Sequence, residues 1–126
     1  MTAPVILQFG TSRFLQAHVD LFAEEARAAG QKVPPIVIVQ TTRDPERARR
    51  LAGFADPAGF PVILRGLRDG VRDERTVQVR SVREGLSAAA DWGRLVALAV
   101  EAASHIVSNT GDTGYAIPDG DRVAPR

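Results

Sequence analysis

The feature that most constrains this sequence is a β–α–β pattern completed within its first 41 residues. The apolar run Val5–Phe9 ends at Gly10, and residues 13–29 then place apolar side chains at helical spacing. After Gly30, the β-branched run 36–39 predicts a second strand. Because a parallel pair of strands needs a crossover of about this length, the pattern predicts an α/β fold with a mostly parallel sheet and flanking helices.

The first predicted helix has an apolar stripe that we expect to face the core. Its polar and charged residues, Asp20 among them, lie mostly away from that stripe, and His18 borders it as a packing residue. Gly30 is expected to end the helix. The stripe consists of Leu15, Val19, Phe22 and Ala26.

The rest of the chain continues the alternation of strands and helices. Asp44 and Pro45 are typical of the first residues of a helix, here a short one that ends near Gly53. Asp69-Gly70 is a turn signal. Further strands are predicted over 60–67, 76–82 and 105–108, and a helix is predicted over 91–103 with Trp92, Leu95, Val96, Ala99 and Ala103 on one face.

Composition excludes several classes of protein. The chain has 16 basic and 15 acidic residues and a net charge of +1, so it lacks the charge pattern of a nucleic-acid-binding protein. No apolar run reaches the ~18 residues of a membrane span. Without cysteine the chain has no disulfides and no cysteine-based metal site. We therefore expect a cytoplasmic protein that binds no metal, nucleic acid or membrane.

The turn after the first strand is a candidate phosphate site. A dinucleotide-binding turn has the pattern G-x-G-x-x-G, and here only its first glycine, Gly10, is present, because Ser12 and Leu15 replace the others. Backbone N–H groups at the start of a helix favour an anion. The residues alone favour two interpretations equally, a phosphate site or an ordinary turn in which Ser12 caps the helix.

Polar residues also come after the second and last predicted strands. Enzymes that use NAD often place an acidic residue after the second strand to bind the ribose, whereas an arginine suits a 2′-phosphate. This chain instead has Gln40, Thr41, Thr42 and Arg43, and Arg43 is equally well explained as a solvated loop residue. After the last strand come Ser108, Asn109 and Thr110, at an edge where open α/β sheets bind ligands or where a simple turn forms.

Four stretches in this order and spacing resemble the amino-terminal part of the mannitol dehydrogenase family of polyol and hexuronate dehydrogenases. They are FGTSRFLQAH, VIVQTTR, FPVILRGLRDG and IVSNTGDTGY. The family motif F-G-x-G-x-F-x-R-A matches at Phe9, Gly10, Phe14 and Ala17 but not at Ser12 and Gln16, and S-N-T-T-E matches only in its first three residues. The resemblance covers residues 4–115.

The resemblance implies a Rossmann-like domain over residues 1–115, with an incomplete sheet and a loop or truncated tail over 116–126. It implies an NAD site, with NADP as the alternative, in an oxidoreductase that interconverts a secondary alcohol and a ketone on a sugar alcohol or hexuronate. The implied cofactor-binding residues are Gly10, Thr11, Ser12, Arg13, Phe14, Gln40, Thr41, Thr42, Arg43, Ser108, Asn109 and Thr110.

The resemblance also implies an absence. The catalytic lysine of this family, with its asparagine and histidine partners, lies in a carboxy-terminal domain that these 126 residues do not contain. The one lysine, Lys32, comes after the first helix and does not match it. We therefore assign no catalytic residue and expect no turnover by this chain alone, and we expect self-association through uncovered surfaces.

Two other functions are compatible with the sequence. The chain can be a nucleotide-binding module or a decayed product without enzymatic activity, as the altered glycine and the short tail slightly favour. It can also be a Rossmann-like enzyme of another class, such as a methyltransferase, against which the stretch at Ser108 to Thr110 argues.

Overall fold

The computed structural model of the protein describes residues 3–118, and residues 119–126 of the predicted tail at 116–126 lie outside them. The fold is mixed α/β. Four parallel strands form one sheet in the order β5-β2-β1-β6, and an antiparallel pair, β3 and β4, forms a second sheet. The strands are β1 (Val5–Phe9), β2 (Ile36–Gln40), β3 (Phe60–Arg68), β4 (Val71–Val79), β5 (Val82–Ser87) and β6 (Ala103–Ser108).

The helices connect the parallel strands. Between β1 and β2 the chain forms a helical turn α1 (Arg13–Leu15), a π-helical segment (Gln16–Asp20) and the helix α2 (Leu21–Ala28). Helix α3 (Pro45–Leu51) runs into a 3₁₀ turn (Ala52–Ala55), and helix α4 (Trp92–Glu101) joins β5 to β6. A second 3₁₀ turn (Asp112–Tyr115) comes after β6. These bounds confirm the parallel sheet and the helix start at Asp44, whose carboxylate accepts from the Glu46 N–H.

The core lies on both faces of the two central strands. Every residue of β2 is buried, and Val5 and Leu7 of β1 are fully buried. One cluster packs β1 and β2 against Leu95 and Ala102, and the other packs β2 against Phe54 and Ala23. Burial on both faces is what parallel strands require, and it explains the near-continuous apolar sequence of β2.

Strand prediction was wrong between residues 68 and 87. The predicted strand 76–82 spans two real strands, because β4 ends at Val79 and β5 begins at Val82. The turn at Asp69 and Gly70 is confirmed, since both have positive φ, and it makes β3 and β4 a hairpin outside the parallel sheet. The alternation in β4 belongs to this hairpin, and the sequence pattern did not separate β5 as a strand of its own.

The predicted helix faces also need correction. Leu15 is buried as expected, but Phe22 is 57% exposed while Leu21 and Asp20 are buried. A π-helical turn contains more residues than an α-helical one, so it rotates the residues after it relative to a regular 3.6-residue repeat. In α4, Leu95 is buried, whereas Trp92 and Val96 of the predicted core face are exposed.

Candidate functional site

The candidate site lies where the carboxyl ends of β1 and β6 meet. These two strands are neighbours, with Phe9 paired to Ser108, and the strand order reverses between them, since the chain adds β2 and β5 on one side of β1 and then β6 on the other. β1 connects to β2 on one side, whereas β6 lies on the other side. In open α/β sheets, ligands bind in the crevice formed at such a change of direction.

Gly10 and Asn109 lie close together at this point of the sheet. Gly10 has a φ of +132°, which L side chains rarely adopt. A Cβ atom at Gly10 would lie 3.1 Å from Leu15 Cδ1 and 3.4 Å from Asn109 Oδ1. The missing side chain therefore allows a sharp turn and brings the backbone close to the polar stretch after β6.

Ser12 caps the helix that begins after the turn. Its backbone is extended, and its Oγ accepts a hydrogen bond of 3.2 Å from the Leu15 N–H. The helix-cap interpretation is thus correct for this hydroxyl, which can still donate its own proton to a ligand. Thr11 between them is buried, so its side chain does not face the crevice.

Arg13 and Phe14 lie on the outer side of the helix start. Phe14 is 59% exposed and stacks on His18 at 4.2 Å between ring centroids. Arg13 borders a shallow cavity of about 350 Å³, together with Arg50 and Phe60. The predicted phosphate-site residues therefore separate into a crevice group, Gly10 and Ser12, and an exposed outer pair.

The four predicted residues at the end of β2 differ in how far they are exposed. Gln40 is buried, and its amide donates to the Asp44 carbonyl at 3.0 Å, so it holds the loop in place. Thr41, Thr42 and Arg43 are exposed. Of this stretch, the three exposed residues are open to a ligand and Gln40 is not.

Ser108, Asn109 and Thr110 are all exposed at the carboxyl end of β6. The register that pairs Ser108 with Phe9 brings this stretch to the 10–12 turn. Residues 40–43 and 108–110 thus lie at the same edge of the sheet as the 10–12 turn. Gln40 ends β2 at that edge, one strand away from Phe9.

Sequence reasoning missed a buried polar cluster beneath the turn. Gln8, Thr11 and Asp20 are each almost completely buried, and one side-chain oxygen of each has no hydrogen-bond partner within residues 3–118. The Gln8 amide donates to Asp20 Oδ2 at 3.4 Å. Burial raises the pKa of Asp20 to about 7, although the hydrogen bond from Gln8 opposes the rise.

Arg50 of α3 was also missed. Its Nη2 donates to the Thr11 carbonyl at 3.0 Å and to Gln16 Oε1 at 3.2 Å. A charged donor on a turn carbonyl forms a stronger hydrogen bond than a neutral one. The only sequence signal for Arg50 was its place on a short helix after β2, where several arginines occur together.

The two histidines do not form a catalytic pair in the structure. His18 is exposed and not the packing residue we expected, and its Nδ1 lies 2.7 Å from the Phe14 carbonyl. Because a carbonyl only accepts, Nδ1 must donate there. His105 is exposed on β6, with Nδ1 at 3.0 Å from Ser104 Oγ.

Two further features of residues 3–118 concern the site and its setting. No group of three or more histidine, cysteine, aspartate or glutamate side chains in this range is placed to hold a metal ion. Within the same range, no helix has the length and apolar character needed to cross a bilayer.

Comparisons of the chain with protein-family models, with curated proteins and with solved structures find no match. The resemblance described from the sequence therefore stays a prediction, and any functional assignment depends on the geometry of the site.

Proposed function

We propose that the chain is the NAD(P)-binding part of a Rossmann-like oxidoreductase that interconverts a secondary alcohol and a ketone on a sugar alcohol or hexuronate. The observation that supports this proposal most directly is the juxtaposition of Gly10 and Asn109 at the change of direction between β1 and β6. A dinucleotide needs backbone close to its pyrophosphate at this point of an α/β sheet.

In this proposal the pyrophosphate lies against the 10–12 turn. The N–H groups at the start of the next helix face the anion, and the Ser12 hydroxyl donates to it. The adenosine ribose lies near the exposed Thr41 and Thr42, and Arg43 is the group available to a 2′-phosphate. Ser108, Asn109 and Thr110 lie on the nicotinamide side.

The chemical step needs a group that moves the alcohol proton as the hydride is transferred. We assign none of the described residues to this role, since both histidines are exposed with their Nδ1 atoms against neighbouring residues and Lys32 is in the loop after α2. We therefore expect nucleotide binding without turnover from these 126 residues.

The test is a fluorescence titration of the chain with NADH, NADPH and S-adenosylmethionine. We expect binding of a reduced nicotinamide cofactor and no binding of S-adenosylmethionine. The variant Gly10→Val should lower NADH affinity at least tenfold, because its side chain would fill the crevice beside Asn109.

A matched control is Gly111→Val, since a Cβ atom at Gly111 has no neighbour within 4 Å. It should bind NADH within twofold of the wild type. Absence of NADH and NADPH binding by a folded wild-type chain, or equal affinity of the Gly10→Val variant, would contradict the proposed function. Oxidation of a polyol by the chain would contradict the expected lack of turnover.

A further inference from the structure

A carboxylic acid is buried directly behind the 10–12 turn. Asp20 has no exposed surface, and it ends the π-helical segment that turns it inward. Its Oδ2 accepts from Gln8 Nε2 at 3.4 Å, and the same nitrogen lies 3.5 Å from the Gly10 carbonyl oxygen. One glutamine amide thus connects a buried acid to the first residue of the turn.

The other end of Asp20 is fixed to the start of β5. Ser81 Oγ donates to the Asp20 backbone carbonyl at 2.7 Å, and Ser81 is itself completely buried. The backbone of Asp20 is therefore anchored to the start of β5.

The cluster contains more acceptors than its present hydrogen bonds satisfy. Gln8 Oε1, Thr11 Oγ1 and Asp20 Oδ1 accept no hydrogen bond from the part of the chain that the structure describes. A neutral carboxyl can donate one hydrogen bond, whereas a carboxylate only accepts. Gln8 Nε2 lies within reach of both Asp20 and the Gly10 carbonyl, and an ionised Asp20 accepts from it more strongly than the neutral acid does. The protonation state of Asp20 therefore changes how this amide is shared with the turn.

We propose that Asp20 is a positioning residue that acts through Gln8, so that its protonation state sets the geometry of the 10–12 turn and the affinity of the turn for the phosphate of a nucleotide. The neutral acid favours the anion, because an ionised carboxylate behind the turn repels it. This inference rests on the proposed function for its ligand, and its effect on the turn itself is independent of any ligand.

The charged groups around Asp20 are bonded elsewhere. Arg50 donates to the Thr11 carbonyl, Glu24 accepts from the Arg80 N–H, and Arg27 donates to the Arg80 carbonyl. Among the described residues, none of these groups forms an ion pair with Asp20. His18 is two residues away from Asp20, so the experiment must separate the contributions of the two side chains.

The first measurement records the backbone amide resonances of residues 10–12 by NMR between pH 5.5 and 8.5, without nucleotide, beside the Asp20 carboxyl carbon. We expect the amide shifts and the carboxyl carbon to share one midpoint near pH 7 in the wild type. Asp20→Asn should abolish the amide titration, and His18→Gln should retain it.

The variant Gln8→Leu removes the link and keeps the acid, so Asp20 should still titrate while the turn does not respond. This comparison and the wild-type midpoints keep the test decisive if Asp20→Asn does not fold. Amide shifts that do not share the Asp20 midpoint, or that disappear in His18→Gln, would overturn the inference.

The second measurement is NADH affinity at pH 6 and pH 8. We expect the wild type to bind at least about threefold more weakly at pH 8, from the repulsion of one added charge. Asp20→Asn should bind equally at both pH values, and the control Asp73→Asn, on the β3–β4 hairpin, should behave as the wild type. An equal pH dependence in Asp20→Asn would overturn the inference.

The two measurements separate the two proposals. If the turn amides titrate with Asp20 but NADH does not bind at either pH, the proposed function fails and the positioning role of Asp20 stands. If NADH binds and the amides do not titrate with Asp20, the positioning role fails and the proposed function stands.

Discussion

The two edges of the parallel sheet are built in opposite ways. At the β5 edge, Val82 and Leu86 are buried, and the 3₁₀ turn after α3 covers the strand with Phe54. At the β6 edge, Ile106 is 67% exposed, and Val100 of the preceding helix is 80% exposed. The same sheet therefore has one closed edge and one open edge, and its core is complete only on the closed side.

This difference shows how covering, and not strand sequence, determines burial. Both edge strands contain two or more apolar residues, and β6 has fewer charged residues than β5. Yet β5 is protected because the chain between β2 and β5 folds back over it, whereas α4, which contacts β6, leaves Ile106 exposed. An edge strand without charges or proline is the kind that other strands pair with.

The largest expected effect comes from removing the cover of the closed edge. Phe54 is 6% exposed and contacts the second core cluster, so Phe54→Ala should lower the free energy of unfolding by about 3 kcal/mol. The matched change at the open edge, Ile106→Ala, should cost less than about 1 kcal/mol, because most of that side chain is already in water. Urea unfolding of both variants measures the difference, and equal losses would show that the two edges are equally packed.

The next effect on stability is expected from the buried carboxyl group of Asp20. Burial raises the pKa of Asp20 from 3.8 to about 7, so between these pH values the native state binds a proton that the unfolded chain has released. Its stabilising contribution is complete below pH 3.8 and is lost as the pH rises through 7.

Between pH 5 and pH 8, the free energy of unfolding of the wild type should accordingly fall by about 3 kcal/mol more than that of Asp20→Asn. Urea unfolding at the two pH values is the measurement, with Asp73→Asn on the exposed hairpin as the control. Parallel pH profiles for the wild type and Asp20→Asn would show that Asp20 is not protonated in the native state near neutral pH.

The sequence predicted correctly those features that depend on local chemistry. The β–α–β pattern, the cap at Asp44 and the turn at Asp69 and Gly70 each result from local chemistry, and the structure agrees with them. It was misleading for Asp20, because a regular helical repeat places that residue away from the core. The π-helical segment that reverses this placement has no local signature in the residues 16–20.

The meeting of the polar stretches at one edge of the sheet was expected from the parallel topology alone. Polar residues at the ends of β1 and β6 were expected at one sheet edge, and strand register alone brings them there. The burial of Gln40 and the reach of Arg50 to the turn depend on how the loop and α3 pack. Those contacts form between elements, and no spacing within the sequence encodes them.

A smaller effect tests how tightly the closed edge is packed. A Cβ atom at Gly85 of β5 would lie 2.9 Å from Leu51 Cδ2 and 3.0 Å from the Leu51 carbonyl oxygen. Gly85→Val should therefore cost about 2 kcal/mol through overpacking. Gly93→Ala has open space on α4 and should be neutral or slightly stabilising. If thermal unfolding shows no loss for Gly85→Val, the cover over β5 is looser than these contacts require.

The smallest effect on stability is expected at the open edge, where the effect on association should be clear instead. Ile106→Lys places a charge on an exposed strand and should change the free energy of unfolding by less than about 0.5 kcal/mol. Because a lysine on an edge strand opposes pairing with another strand, the variant should sediment closer to the monomer mass than the wild type. Val71→Lys, a similarly exposed position on the hairpin, serves as the control and should associate as the wild type does. Equal association of the wild type and both variants would place the contact between copies away from β6, and the open edge would then differ from the closed one in packing but not in its tendency to pair.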